Sequence, residues 1–184
     1  KAGLEKHKFA GAADIYTDEE YEQNENFLLD DGKIGFSVQP DGFIVSIFKD
    51  PSSEVIDALS QIIPEAIAAG GWKIEAFEGF LTEQYRKYGF KEVDRMSWDE
   101  SLRSEGWTDE MGKPDLVYME LDYDDYQRYR EAAGIEGDLQ TSEDEVQNAR
   151  GTPRRYGSLA SDNQAYRQGY AKGREKDGSA RGRW

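Results

Sequence analysis

Ile34, Phe36 and Val38 alternate with Gly35 and Ser37. A period of two marks a strand with one covered face. The run Phe27-Leu28-Leu29 precedes it, with the hairpin signal Asp31-Gly32 between. Pro40-Asp41-Gly42 then makes a second turn. Phe43-Ile44-Val45-Ser46-Ile47-Phe48 follows as a nearly unbroken apolar strand, the kind expected at the centre of a sheet with both faces covered. Three antiparallel strands are predicted over residues 27–48.

Beyond Phe48 the period changes. Val55, Leu59, Ile62 and Ala66 recur at helical spacing, with Ile56, Ile63 and Ile67 beside them. Asp50 is the expected cap and Pro51 the first helical residue. The helix is predicted over Pro51–Ala69, kinked or divided at Pro64 and ended by Gly70-Gly71. Trp72–Phe77 reads as a strand, so strand, helix and strand form a crossover unit. Phe43–Phe48 and Trp72–Phe77 are therefore expected to run parallel. A short amphipathic helix over Phe80–Tyr88 stops at Gly89. Phe90–Trp98, anchored by Phe90, Val93 and Met96, and Asp115–Leu121 are two more strands. Asp124–Ala133 is predicted as a polar helix, and Thr17 with Glu20 forms a capping box for a short one near the start.

The pattern predicts a mixed α/β fold of the α+β kind: antiparallel strands followed by a β-α-β crossover. Residues 1–26 are an extension with a short helix, 27–133 the domain, and 134–184 a flexible basic tail. The tail is rich in Gly, Arg, Ser and Asn, a composition that does not bury a core.

Charge sharpens this division. The 184-residue chain carries −15, but residues 150–184 hold nine Lys/Arg against three Asp/Glu. That leaves −21 on residues 1–149. The body should repel nucleic acid and favour a cationic substrate, while the tail has the opposite sign. Arg150, Arg154, Arg155 and Arg167 lie near Tyr156, Tyr166 and Tyr170, which suits phosphate contact and base stacking. Docking of this arm onto a protein assembly is the parallel expectation, and a solvating linker is the plain one. No apolar run reaches the ~20 residues of a membrane helix.

The chain has no cysteine and one histidine, His7. Disulfides, thiol nucleophiles and histidine-rich metal sites are excluded by count. A reducing, cytoplasmic setting is expected. No metal is expected either: Asp122, Asp124 and Asp125 lack the spacing of a calcium loop and read as a solvated helix start. Trp98 and Trp107 flank a charged loop, where packing is the default reading.

The segment Leu81-Thr82-Glu83-Gln84-Tyr85-Arg86-Lys87-Tyr88-Gly89-Phe90 resembles the short-helix signature of GNAT-family N-acyltransferases, with a tyrosine four residues before Gly-Phe. The order of elements from Phe43 to Leu121 is similar to the second half of that family's fold. The resemblance implies a GNAT-like sheet whose two parallel strands part at their carboxyl ends, and an acetyl-CoA or other acyl-CoA cofactor. It implies that Tyr85 protonates the departing thiolate, that the backbone of Ile47, Phe48 and Lys49 pairs with the pantetheine arm, and that Ser52 and Ser53 meet the phosphates. Glu75 and Glu78, near the end of the strand before the short helix, are candidate bases for an amine if burial raises their affinity for protons; otherwise they are solvated carboxylates. Tyr85 and Tyr88 are otherwise amphipathic helix residues.

One segment departs from the family pattern. Lys49-Asp50-Pro51-Ser52-Ser53-Glu54 stands where the family has a glycine-rich phosphate loop, yet it contains no glycine. Pro51 lacks an N–H, and Asp50 and Glu54 repel phosphate. Two functions follow: acyl transfer to an amine on a cationic small molecule or protein, or a non-catalytic GNAT-like binding or structural module. The second resembles divergent domains encoded by bacteriophages, with residues 150–184 as a virion attachment arm.

Overall fold

The computed structural model describes residues 16–100, 103 and 107–135. The tail beyond residue 135 and its expected partners lie outside the described residues, as does His7.

The first element among the described residues, helix α1 (Asp18–Glu22), starts as its capping box requires. The Thr17 hydroxyl accepts from the Glu20 amide at 3.2 Å, and the Glu20 carboxylate accepts from the Thr17 amide at 2.7 Å. Strand β1 (Glu25–Leu29) turns through Asp30-Asp31-Gly32, all at positive φ, into β2 (Ile34–Val38). The Pro40-Asp41-Gly42 turn leads to β3 (Ile44–Lys49). The three strands form one antiparallel sheet in the order β1-β2-β3. Thus β2, not β3, is the central strand. All of β2 is buried, including Gly35 and Ser37, and the Ser37 hydroxyl donates to Asn26 at 2.7 Å. The apolar run of β3 is half-buried towards its end, where β3 is an edge strand of its sheet.

The predicted helix over Pro51–Ala69 is shorter. Helix α2 spans Leu59–Ala68 and continues through Pro64. Residues 51–58 form a loop because Asp50 holds the chain in a turn. Its carboxylate accepts from the Ser52 amide at 2.8 Å, and its carbonyl accepts from the Ser53 amide at 2.9 Å. Such local bonds compete with a helix start. Ile56, placed on the helical stripe by its spacing, is consequently 99% exposed. Ile62, Ile63, Ala66 and Ile67 are buried as their spacing requires.

Strand β4 (Lys73–Phe77), helix α3 (Phe80–Lys87), strand β5 (Phe90–Met96) and strand β6 (Leu116–Leu121) follow. They make a second antiparallel sheet in the order β4-β6-β5. Val93, expected as an apolar anchor, is 42% exposed. The register of β5 shifts between Glu92 and Asp94, and the bulge carries Val93 outward. Helix α4 (Tyr123–Ala133) is capped by Asp122, which accepts from the Asp125 amide at 3.0 Å. The architecture is therefore mixed α+β with two three-stranded antiparallel sheets, not one continuous sheet. A common core joins them: Ile34, Phe36 and Val38 from β2, the α2 stripe, Ile74 and Ala76 from β4, and Val117 and Met119 from β6.

Candidate functional site

The two sheets meet at one parallel bridge, Phe43 to Lys73. The Gly42 carbonyl accepts from the Trp72 amide at 2.9 Å and the Lys73 amide at 3.1 Å. The Lys73 ammonium lies 4.8 Å from the centre of the Trp72 ring and 5.6 Å from that of Phe43, and pairs with Asp41 at 2.7 Å. These contacts pin the starts of β3 and β4. Past the pin, no further pairing between β3 and β4 occurs among the described residues.

The hydrogen-bond phase of β3 gives its outer edge a direction. The Asp50 amide donates to Lys33 of the β2 side at 2.6 Å. Backbone groups alternate in an antiparallel ladder. Lys49, opposite Ile34, therefore turns its amide and carbonyl away from β2. Between them the ladder is irregular: Ser46 has φ +55°, and its hydroxyl shares a 2.8 Å hydrogen bond with the Tyr21 phenol of α1. A serine held at positive φ marks local strain, here at the irregularity in the β2–β3 ladder.

The remaining residues expected at the site find separate neighbours. Ser53 is buried and donates to Asp30 at 2.7 Å, while its hydroxyl accepts from the Val55 amide at 3.3 Å. Ser52 gives its amide to Asp50. Both serines thus serve the loop that holds them, and the anionic Asp50 lies among the donors.

Tyr85 is buried in the common core, its ring centre 6.2 Å from that of Phe90. Both rings belong to one core. Burial pushes the Tyr85 phenol well above its ordinary range, so it is protonated at neutral pH. Tyr88 is also buried, against Tyr129 at 4.8 Å between ring centres.

Glu78 is exposed and bound in two places by Arg95, at 2.7 and 3.0 Å. Arg95 also holds Glu92 at 2.8 Å and Asp115 at 3.2 Å. The hydrogen bonds from Arg95 hold the Glu78 carboxyl below its usual range, which lowers its strength as a base. Glu75 is half-buried on β4. It lies opposite Tyr118 of β6, which in turn lies opposite Asp94 of β5, so a carboxylate, a phenol and a carboxylate form one row across the sheet. Arg95 and Tyr118 carry no local sequence signal; only strand register brings them to Glu78 and Glu75.

Among the described residues, no three His, Cys, Asp or Glu side chains are placed to hold a metal ion. Lys91 contacts Asp122 at 2.6 Å and Asp125 at 3.0 Å, so these aspartates serve a helix start and an ion pair. Trp98 and Trp107 pack on each other and on Phe77, with ring centres 4.7–6.0 Å apart. No described helix is long and apolar enough to cross a membrane. Comparison with protein-family models, with curated proteins and with solved structures gives no match.

Proposed function

We propose that this chain is a GNAT-like binding module that keeps the family's parted-strand slot but has lost its grip on a nucleotide diphosphate. The observation that carries this reading is the turn at Asp50. Its carboxylate takes the Ser52 amide, and the Ser53 amide goes to its carbonyl, where the resemblance calls for free donors facing phosphate. A phosphate there would meet a negative charge and displaced donors, without a helix start behind them. The outward backbone of Lys49 remains available to an extended ligand laid along β3.

A second reading, acyl transfer from acyl-CoA to an amine, draws on the short helix. Gly89 has φ +90° just past the Tyr88 cap of α3, and Phe90 opens β5, in keeping with the family signature. In that reading Tyr85 is the acid.

Thermal unfolding with acetyl-CoA separates the two. A ligand at 100 times its dissociation constant stabilises a protein by about 2.7 kcal/mol. The module reading expects an unchanged midpoint at millimolar acetyl-CoA. A clear upward shift would favour the transferase, and Tyr85→Phe should then slow turnover far more than it weakens cofactor binding.

A further inference from the structure

We infer that the outer edge of β1 binds an extended cationic segment of a partner protein, which joins the first sheet as a fourth strand. β1 stands at the opposite side of its sheet from β3, so this edge is independent of the proposed slot. The hydrogen-bond phase fixes which backbone groups face outward. The Lys33 carbonyl accepts from the Asp50 amide, so Lys33 faces β3, and Ile34, the next residue, faces β1. Ile34 lies opposite Leu29, which therefore turns its amide and carbonyl to β2. By alternation Phe27 and Glu25 do the same, while Asn26 and Leu28 turn theirs away from the sheet. No hydrogen bond to these outward groups occurs among the described residues. They are donors and acceptors at the spacing of a strand ladder.

The other edges are blunted, and β1 is not. β3 carries Ser46 at positive φ, an irregular register and Lys49. β5 has a register shift between Glu92 and Asp94 and carries Lys91 and Arg95. β4 opens with Lys73, already bridged to Phe43. Bulges and lysines are devices by which edges resist a further strand. β1 pairs with β2 over five consecutive residues with no shift, and holds no Lys, Arg or Pro. Its Leu28 side chain is 68% exposed. Leu28, Gly35 and Phe48 form one row across the three strands, and the Phe48 ring lies over Gly35. An apolar residue opposite Leu28 on an added strand extends this row.

Charge selects the partner. Residues 16–32 hold seven Asp/Glu and no Lys/Arg. A second copy pairing β1 with β1 would set that stretch against itself, and nucleic acid would meet the same repulsion. A strand bearing Lys or Arg among aliphatic residues meets the acids and Leu28 together.

NMR amide exchange on the full chain, titrated with an end-capped heptapeptide of alternating Lys and Val, tests this. The peptide should bind with a dissociation constant below about 1 mM. At saturation it should slow exchange of the Asn26 and Leu28 amides about fivefold or more. A heptapeptide of alternating Lys and Pro has the same charge, but proline cannot donate to a ladder, so it should bind about tenfold more weakly or worse. Leu28→Lys should weaken the Lys/Val peptide about fivefold or more, with its own thermal midpoint unchanged because Leu28 is exposed. Ile56→Lys, the same charge change at another exposed position, should bind as the parent does. Any of four results overturns the assignment: no saturation below about 1 mM, equal binding of the Lys/Pro peptide, parental affinity in Leu28→Lys, or slow exchange of both amides before peptide is added. The last would mean that a second copy or another part of the chain already fills this edge.

Discussion

The Trp72 indole packs against Gly42, and the Trp72 amide donates to the Gly42 carbonyl at 2.9 Å. Gly42 has φ +84°, and a Cβ there would overlap the indole. Gly42→Ala should therefore lose about 2–4 kcal/mol in urea unfolding, from the left-handed backbone and the displaced ring together. Gly70→Ala is the comparison. Gly70 has φ +86° but open space around it, so only the backbone cost of about 1 kcal/mol applies. Equal losses would mean that the contact with Trp72 contributes nothing.

Gly89 is constrained in a second way. Its φ is +90°, and a Cβ would stand 2.6 Å from the Tyr126 amide nitrogen and 3.1 Å from the Asp122 carbonyl oxygen. Backbone, unlike a long side chain, has little room to yield. Gly89→Ala should cost about 3 kcal/mol or more and loosen α4. Gly134→Ala, at φ +66° with nothing near it, should cost about 1 kcal/mol. The NMR resonances of Tyr126 and the urea midpoint report the two effects. A Gly89→Ala protein as stable as the Gly134→Ala protein contradicts the packing of α4 on this glycine.

Arg95 sets the charge state of its carboxylate neighbours. In Arg95→Gln, the Glu78 and Glu92 carboxyls should titrate higher by NMR than in the parent, because the hydrogen bonds that hold them low are gone. The sign of the linked stability follows. A carboxyl held low in the folded chain contributes stability above its unfolded pKa of about 4.3. That contribution is lost as pH falls through the lower folded value. The stability difference between parent and variant should therefore shrink as pH drops from about 7 to about 2.5. A difference independent of pH would leave Arg95 with no electrostatic role.

Local signals in the sequence carry the strands, the hairpin at Asp31-Gly32 and the capping box at Thr17, because each depends on residues within a few positions of one another. The loop over residues 51–58 escapes such reading: Asp50 suits a helix cap and a tight turn equally, and the turn takes the Ser52 and Ser53 amides. The division into two sheets is equally hidden. The order strand, helix, strand predicts parallel pairing of β3 with β4, whereas the two strands lie in separate antiparallel sheets and share one isolated parallel bridge. Gly89 shows a further limit. Its place after a helix suggests a cap, whereas its need to lack a side chain comes from α4, more than 30 residues later in the chain. At the site, Ser53 is explained by Asp30 and Glu78 by Arg95, and both partners lie in other strands or turns.

Amide hydrogen exchange followed by NMR addresses the parting of β3 and β4 directly. The Trp72 and Lys73 amides, bonded to Gly42, should exchange slowly, and the Lys49 amide, turned to the open edge, should exchange quickly. Slow exchange at Lys49, comparable with Lys73, would mean that this edge is already paired, and would contradict an open slot.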